Sequence, residues 1–163
     1  MSQIIIRPLR PEDKPPVIRI LQNTPEFLPF EVAVAEELID AYVESSHESG
    51  YHIMVAEMDY HVVGYVCYGQ TALTESTWDI YWIAVDGTRQ GHGIGRALML
   101  DTESRIKTLG GRLVVVETSS KPNYNKTRQF YVNLKYKEIA RIPDFYAAND
   151  DEVIYIKRVD REA

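Results

Sequence analysis

Apolar residues recur with two different spacings along this chain, and the change from one to the other divides it into elements. Ile4-Ile5-Ile6 reads as a short strand, and Pro8, Pro11, Pro15 and Pro16 then punctuate the entry to a first helix reaching about Asn23. Prolines suit a first helical turn, where the backbone N–H has no helical partner to lose. Thr24 to Pro29 reads as a loop, after which Val32, Ala35, Leu38, Ile39, Tyr42 and Val43 recur at helical spacing until the Ser45 to Gly50 cluster. From His52 the period becomes that of strands: His52 to Met58, a tight Asp59-Tyr60 turn, His61 to Gln70, a polar link Thr71 to Ser76, and Thr77 to Val85. That is an antiparallel meander.

A helix from Ala97 to Leu109, stopped by Gly110-Gly111, leads into Leu113 to Val116, which reads as a buried parallel strand. Thr127, Phe130, Tyr131 and Leu134 mark the inner face of a last helix; strands near Lys137 to Ile142 and Val153 to Arg158 follow, with a loop from Ile142 to Glu152 between them. An antiparallel half followed by one parallel crossover predicts a mixed α/β sheet with helices on both faces. No repeat, linker or low-complexity segment interrupts it, so one domain over 1–163 is expected.

Chemistry enters between the meander and the crossover helix, where the chain reads Gln90-Gly91-His92-Gly93-Ile94-Gly95-Arg96. Alternating glycines leave backbone N–H groups uncovered, and a following helix adds its unpaired N-terminal donors and the positive end of its dipole. Such a nest suits a diphosphate. The Walker A pattern fails because no Gly-Lys-Ser/Thr follows, and the dinucleotide fingerprint fails because its third glycine position falls on Arg96 or Leu98. A nucleotide-binding protein is thereby disfavoured. Gln/Arg-x-x-Gly-x-Gly/Ala fits.

That pattern resembles the acetyl-CoA loop of the GCN5-related N-acetyltransferase (GNAT) family. The resemblance extends over nearly the whole chain through Ile4 to Pro8, Ile83 to Asp86, Glu117 to Ser120 and Phe130 to Tyr136, in the family's order and approximate spacing. Two residues depart from it: Gly87 stands where the family often has proline, and Lys135 where a glycine usually precedes the final aromatic. The resemblance implies a mostly antiparallel sheet of about seven strands with about four helices. In it the parallel strands ending at Val85 and Thr118 splay apart to admit acetyl-CoA. Ile83, Ala84 and Val85 would bond the pantetheine arm as a neighbouring strand does, Gln90 to Arg96 would hold the phosphates, and Asn125 would lie against the pantetheine or the phosphates or cap the last helix. His92 would contribute its N–H rather than its ring.

Acetyl transfer to an amine needs a base for the ammonium, donors for the oxyanion and an acid for the thiolate. By the family's helix motif, Tyr131 would be the acid. Glu117, at a strand end, matches in position a base that some protein-modifying members use; Asp79 on the preceding strand and Glu75 in the link before it are further carboxylates. Acceptor specificity should come from Phe27 to Phe30 and from the Ile142 to Glu152 loop, with Pro143, Asp144, Phe145, Tyr146, Asp150 and Asp151. Those residues suit a small-molecule amine or a protein amine alike. A non-catalytic acyl-CoA-binding regulatory module is the alternative from another class.

Composition narrows the partners. Lys+Arg 18 against Asp+Glu 24 gives a net charge of -6, which disfavours nucleic acid. No leader-like segment or long apolar run is present, so a cytoplasmic protein without membrane contact is expected. Both monomer and homodimer remain open. Cys67 lies in a strand-like run, where cysteine serves as a small buried hydrophobe, and His47, His52 and His61 lack the spacing of a metal site.

Overall fold

The computed structural model describes residues 2–161; Met1, Glu162 and Ala163, the ends of the expected domain, lie outside them. The chain forms β1 (Ile5–Pro8), α1 (Lys14–Gln22), α2 (Pro29–Glu44), α3 (Ser46–Ser49), β2 (Tyr51–Met58), β3 (His61–Gln70), β4 (Thr77–Val85), α4 (Ile94–Thr108), β5 (Leu113–Ser119), α5 (Asn125–Asn133), β6 (Lys137–Ala147) and β7 (Asp150–Arg158). The strands make one seven-stranded sheet in the order β1-β2-β3-β4-β5-β7-β6. Only β4 and β5 run parallel among the paired strands. The expected meander and crossover are both present, and the mixed sheet carries helices on both faces.

Each face has its own core. Behind the sheet, α4 and α5 bury Ile94, Leu98, Met99, Ile106, Tyr131 and Leu134 against Val66, Ile80, Val114, Val116 and Tyr155. In front, α1 and α2 bury Val17, Leu21, Ala35 and Ile39 against Ile53, Val55, Tyr65 and Cys67. The front helices stop at β4, so Val115, Ile154 and Ile156 are only partly covered and Glu117 is exposed. That half of the front face is left open by the helices. Cys67 is buried as expected, and its burial pushes the thiol up to about 12.

The expectation of a loop from Ile142 to Glu152 is wrong. β6 runs on to Ala147 and β7 begins at Asp150, leaving a hairpin turn whose Asn149 takes φ 65. β5 likewise continues to Ser119, pairing Thr118 with Val153 and Ser119 with Glu152. Backbone pairing extends the strands through polar residues because the ladder bonds do not depend on side-chain polarity. Pro143 is tolerated because β6 is an edge strand. Two smaller differences occur. Ser46–Ser49 forms one helical turn closed by left-handed Gly50, and α4 starts at Ile94 rather than Ala97.

Lys135 sits where α5 ends, at φ 73. Its N–H donates to Val132 O and the N–H of Tyr136 donates to Tyr131 O, both at 3.0 Å, with the Tyr131 and Tyr136 rings 5.9 Å apart. This is the hydrogen-bond pattern of a helix end that glycine usually closes, and it holds Tyr131 in place. A left-handed lysine costs roughly 1–2 kcal/mol, partly offset by glycine's freedom in the unfolded chain. Lys135→Gly therefore raises stability by about 0.5–1 kcal/mol, a Tm gain of about 1–4 °C in a calorimetric scan.

Candidate active site

β4 and β5 pair only from Thr77–Leu113 to Ile80–Val116. Beyond that point β4 keeps its bonds to β3, with Ile83 opposite Val66 and Val85 opposite Gly64, while β5 keeps its bonds to β7. The two strands therefore part, and the β4 edge from Tyr81 to Val85 faces a gap without a strand partner. An extended amide chain can use such an edge.

The glycine loop stands at the head of this gap. Asp86 Oδ1 accepts from the Thr88 N–H and hydroxyl, each at 2.9 Å, and steadies the turn before it. Gly91 and Gly93 take φ 84 and 76, and no atom would meet a side chain on either, so their conformation rather than lack of space requires glycine. Gly93 is the N-cap of α4, no side chain caps that helix, and its first backbone bond is Ala97 N–H to Gly93 O at 3.0 Å. The N–H groups of Ile94, Gly95 and Arg96 are left without a helical acceptor.

α4 is set firmly under those amides. Ile94 and Leu98 are buried against Gly64, where an added Cβ would lie 3.1 Å from each. A Cβ on Gly95 would lie 3.3 Å from the Phe130 ring, so α5 also closes on this turn. The His92 ring turns back to Arg89 O at 3.0 Å and braces the loop. Arg96 is exposed and makes no ion pair among the described residues. The nest is thus lined by bare amides with a cation beside it, which fits a diphosphate.

Asn125 lies where the last helix begins. In this first turn of α5 its side chain accepts from Arg128, and no side chain caps the helix. Arg128 also donates to Ser119 O at 2.6 Å and to Lys121 O at 3.0 Å, stapling the β5–α5 connection.

Glu117 and Asp79 meet on the front face. Asp79 is paired in register with Val115, two residues before Glu117, so both carboxylates project from the same side of adjacent strands. Asp79 accepts from the Thr71 hydroxyl at 2.6 Å; partial burial and then Glu117 raise it above the usual carboxylate range. Glu117 is pushed up to about 7, first by partial burial and then by hydrogen bonding and charge from Glu152. Glu75 is not part of this group: it lies before β4, at the other end of the strand, 3.9 Å from Arg112.

Tyr131 lies on the opposite, back face, 5% exposed, with its ring against Phe130, Tyr136 and Tyr155. Burial, followed by the neighbouring Tyr124 and Tyr155, raises its hydroxyl well above the ordinary phenol range. Such a group can give a proton and take it back but does not act as a base near neutrality.

The α1–α2 loop straddles the front. Phe27 packs edge-on against Trp82 at 5.5 Å, and Glu26 O accepts from the Tyr124 hydroxyl at 3.1 Å. Phe27 is therefore a packing anchor rather than a free lining residue, and Phe30, 66% exposed, already belongs to α2. Glu152 was absent from the sequence-derived candidates. The signal that would have found it is the alternation of β7: continued back to Asp150, it puts Glu152 on the same face as Glu117.

Residues 17–136 match the family described as Acetyltransferase (GNAT) family. A crystal structure of a protein from Desulfovibrio desulfuricans assigned to that family has 39% identity and a TM-score of 0.93, covering 96% of this chain and 99% of that one. The ribosomal-protein-S18-alanine N-acetyltransferase from Escherichia coli matches at 18% identity and TM-score 0.77, over 99% and 97% of the two chains. A Salmonella typhimurium protein, yncA, solved with its cofactor acetyl-CoA, matches at 19% and 0.77, over 98% and 96%. The last two establish likeness of fold alone. No curated protein matches the sequence. With residues 17–136 matched and the fold shared end to end with a relative at 39% identity, this chain belongs to the GNAT family of acetyl-CoA-dependent N-acetyltransferases.

Proposed function

We propose that the chain transfers the acetyl group of acetyl-CoA to a primary amine by direct attack, with both substrates bound together. The amides of residues 91–96, with Gln90 and Arg96 beside them, hold the diphosphate. The free β4 edge at Ile83, Ala84 and Val85 carries the pantetheine arm. Asn125, already engaged by Arg128, is at most a flank of that site. Acetyl-CoA brings the acetyl group as a thioester; the chain supplies positions for the proton transfers.

One observation carries this reading. Glu117, just past the point where β4 and β5 part, and Tyr131, in the core behind, stand on opposite faces of the sheet, with the carboxyl raised to about 7 and the phenol kept protonated by burial. Glu117 receives the proton that keeps an ammonium non-nucleophilic, directly or through water, while Tyr131 supplies one to the departing thiolate from behind. Asp79, steadied by Thr71, shares the open front face and holds the incoming cation there.

The test is release of CoA thiol from acetyl-CoA across a panel of amines and peptides. Acceleration by at least one acceptor is expected; binding of the coenzyme with no acceleration by any would favour the regulatory module. Tyr131→Phe should lower turnover by about 10²-fold while leaving the acetyl-CoA Kd within about twofold of wild type, read by single-turnover kinetics beside calorimetry. Equal turnover in the variant removes Tyr131 from the mechanism.

A further inference from the structure

We propose that Glu152 is a positioning residue that acts through Glu117, making the two a carboxylate pair built to receive its acceptor as a protonated alkylamine. The inference rests on the reading of Glu117 as base and names the form of acceptor that base meets.

Register places the pair. Glu117 lies opposite Ile154 and Ser119 opposite Glu152, so Glu117 and Glu152 are diagonal neighbours on one face of β5 and β7, within reach of long side chains. Glu152 is 3% exposed, yet neither it nor Glu117 forms an ion pair with any cation among the described residues. The nearby basic groups are engaged elsewhere: Lys121 approaches Asp150 at 3.5 Å, and Arg128 donates to the carbonyls of Ser119 and Lys121. A buried carboxylate without a cation is costly unless a proton or a ligand relieves it.

The remaining groups around Glu117 add no positive charge. Asp79 and Tyr81 come from β4, Asp150 from β7, and Tyr146 from β6, where the irregular pairing between Ile142 and Ala147 brings the Tyr146 phenol within the influence of both glutamates. Tyr124 stands beyond them, near Asp150. All are acids or neutral phenols. A site of this kind favours a cation.

The chemistry balances without another reagent. An arriving R–NH3+ displaces any proton on Glu117 to solvent; one N–H bond then breaks as an O–H bond forms on Glu117. The nitrogen keeps its electron pair for the acetyl carbonyl, and the second N–H proton leaves as the amide forms, replacing the one that Tyr131 gives to the thiolate. Glu152 thereby makes Glu117 a better proton acceptor than an isolated glutamate, and the pair selects acceptors that enter charged. Neutral arylamines gain nothing from it.

The test is carboxyl ¹³C NMR titration of the full chain labelled at glutamate, which needs no acceptor, with the Glu117 signal assigned by its loss in Glu117→Gln. Wild type should titrate at Glu117 near pH 7. Glu152→Gln should lower that midpoint by about one unit or more, while Glu152→Asp, which keeps the charge, holds it near the wild-type position. Unchanged acetyl-CoA affinity in each variant certifies the fold. An unmoved Glu117 midpoint in folded Glu152→Gln overturns the pairing; a wild-type pH–rate profile in Glu117→Gln overturns the base reading instead.

Discussion

Glu117→Gln lowers turnover about 10²–10⁴-fold and removes the rise of kcat/KM with pH that the wild-type enzyme has through about pH 7. The sign follows from the direction of the shift. Glu117 is held up at about 7 by partial burial and by Glu152, so it is protonated below that pH and accepts a proton only above it. Activity therefore climbs as pH rises through 7, and a residue that cannot ionise leaves a flat, low profile. Stability moves the other way. A carboxyl whose folded value lies above its unfolded value binds more protons in the native state, so folding weakens as pH rises from the ordinary glutamate range to about 7. Gln at 117 removes that slope as well, and thermal melts between pH 4 and 8 read it. A variant inactive but with an unchanged stability slope would mean that burial and Glu152 do not perturb Glu117 as described.

Gly93→Val weakens acetyl-CoA binding by about tenfold or more. At φ 76 a branched side chain is strained. Even a simple Cβ costs roughly 1–2 kcal/mol there, and about 1.4 kcal/mol is a factor of ten in affinity. Nothing in the structure would collide with the new side chain, so the strain is relieved by turning the backbone rather than by repacking neighbours. Turning it re-aims the N–H groups of Ile94, Gly95 and Arg96. Gly87→Ala is the control: it also faces open space but is not in the left-handed region, and its Kd should remain that of wild type. Isothermal calorimetry with CoA separates the two. Equal affinity in Gly93→Val would mean that the loop does not hold the coenzyme.

The glycine loop was legible from the residues because its requirement is local. Positive φ, uncovered amides and a helix start are all encoded within Gln90 to Arg96. The meander was legible for the same reason, since strand alternation and the Asp59-Tyr60 turn, at φ 52 and 65, depend on near neighbours. Glu152 was not. Its partner lies on another strand, and its own strand is disguised by Asp150 and Asp151, residues that propensity assigns to loops. The α1–α2 loop posed a similar difficulty: Phe27 carries no local sign that it will pack on Trp82 or that its neighbour's carbonyl will receive the Tyr124 hydroxyl. Lys135 is the reverse case. Lysine is a poor residue for a left-handed helix end, yet the chain adopts the turn anyway, because the backbone bonds to Tyr131 and Val132 and the packing of Tyr136 outweigh the local strain.

The most direct test follows backbone amides by ¹H–¹⁵N NMR while CoA is added to the chain. The account predicts the largest shifts at residues 93–96, with a second set along 83–85 on the β4 edge. Saturation of the protein with CoA while those amides stay unmoved, and others respond, would contradict it.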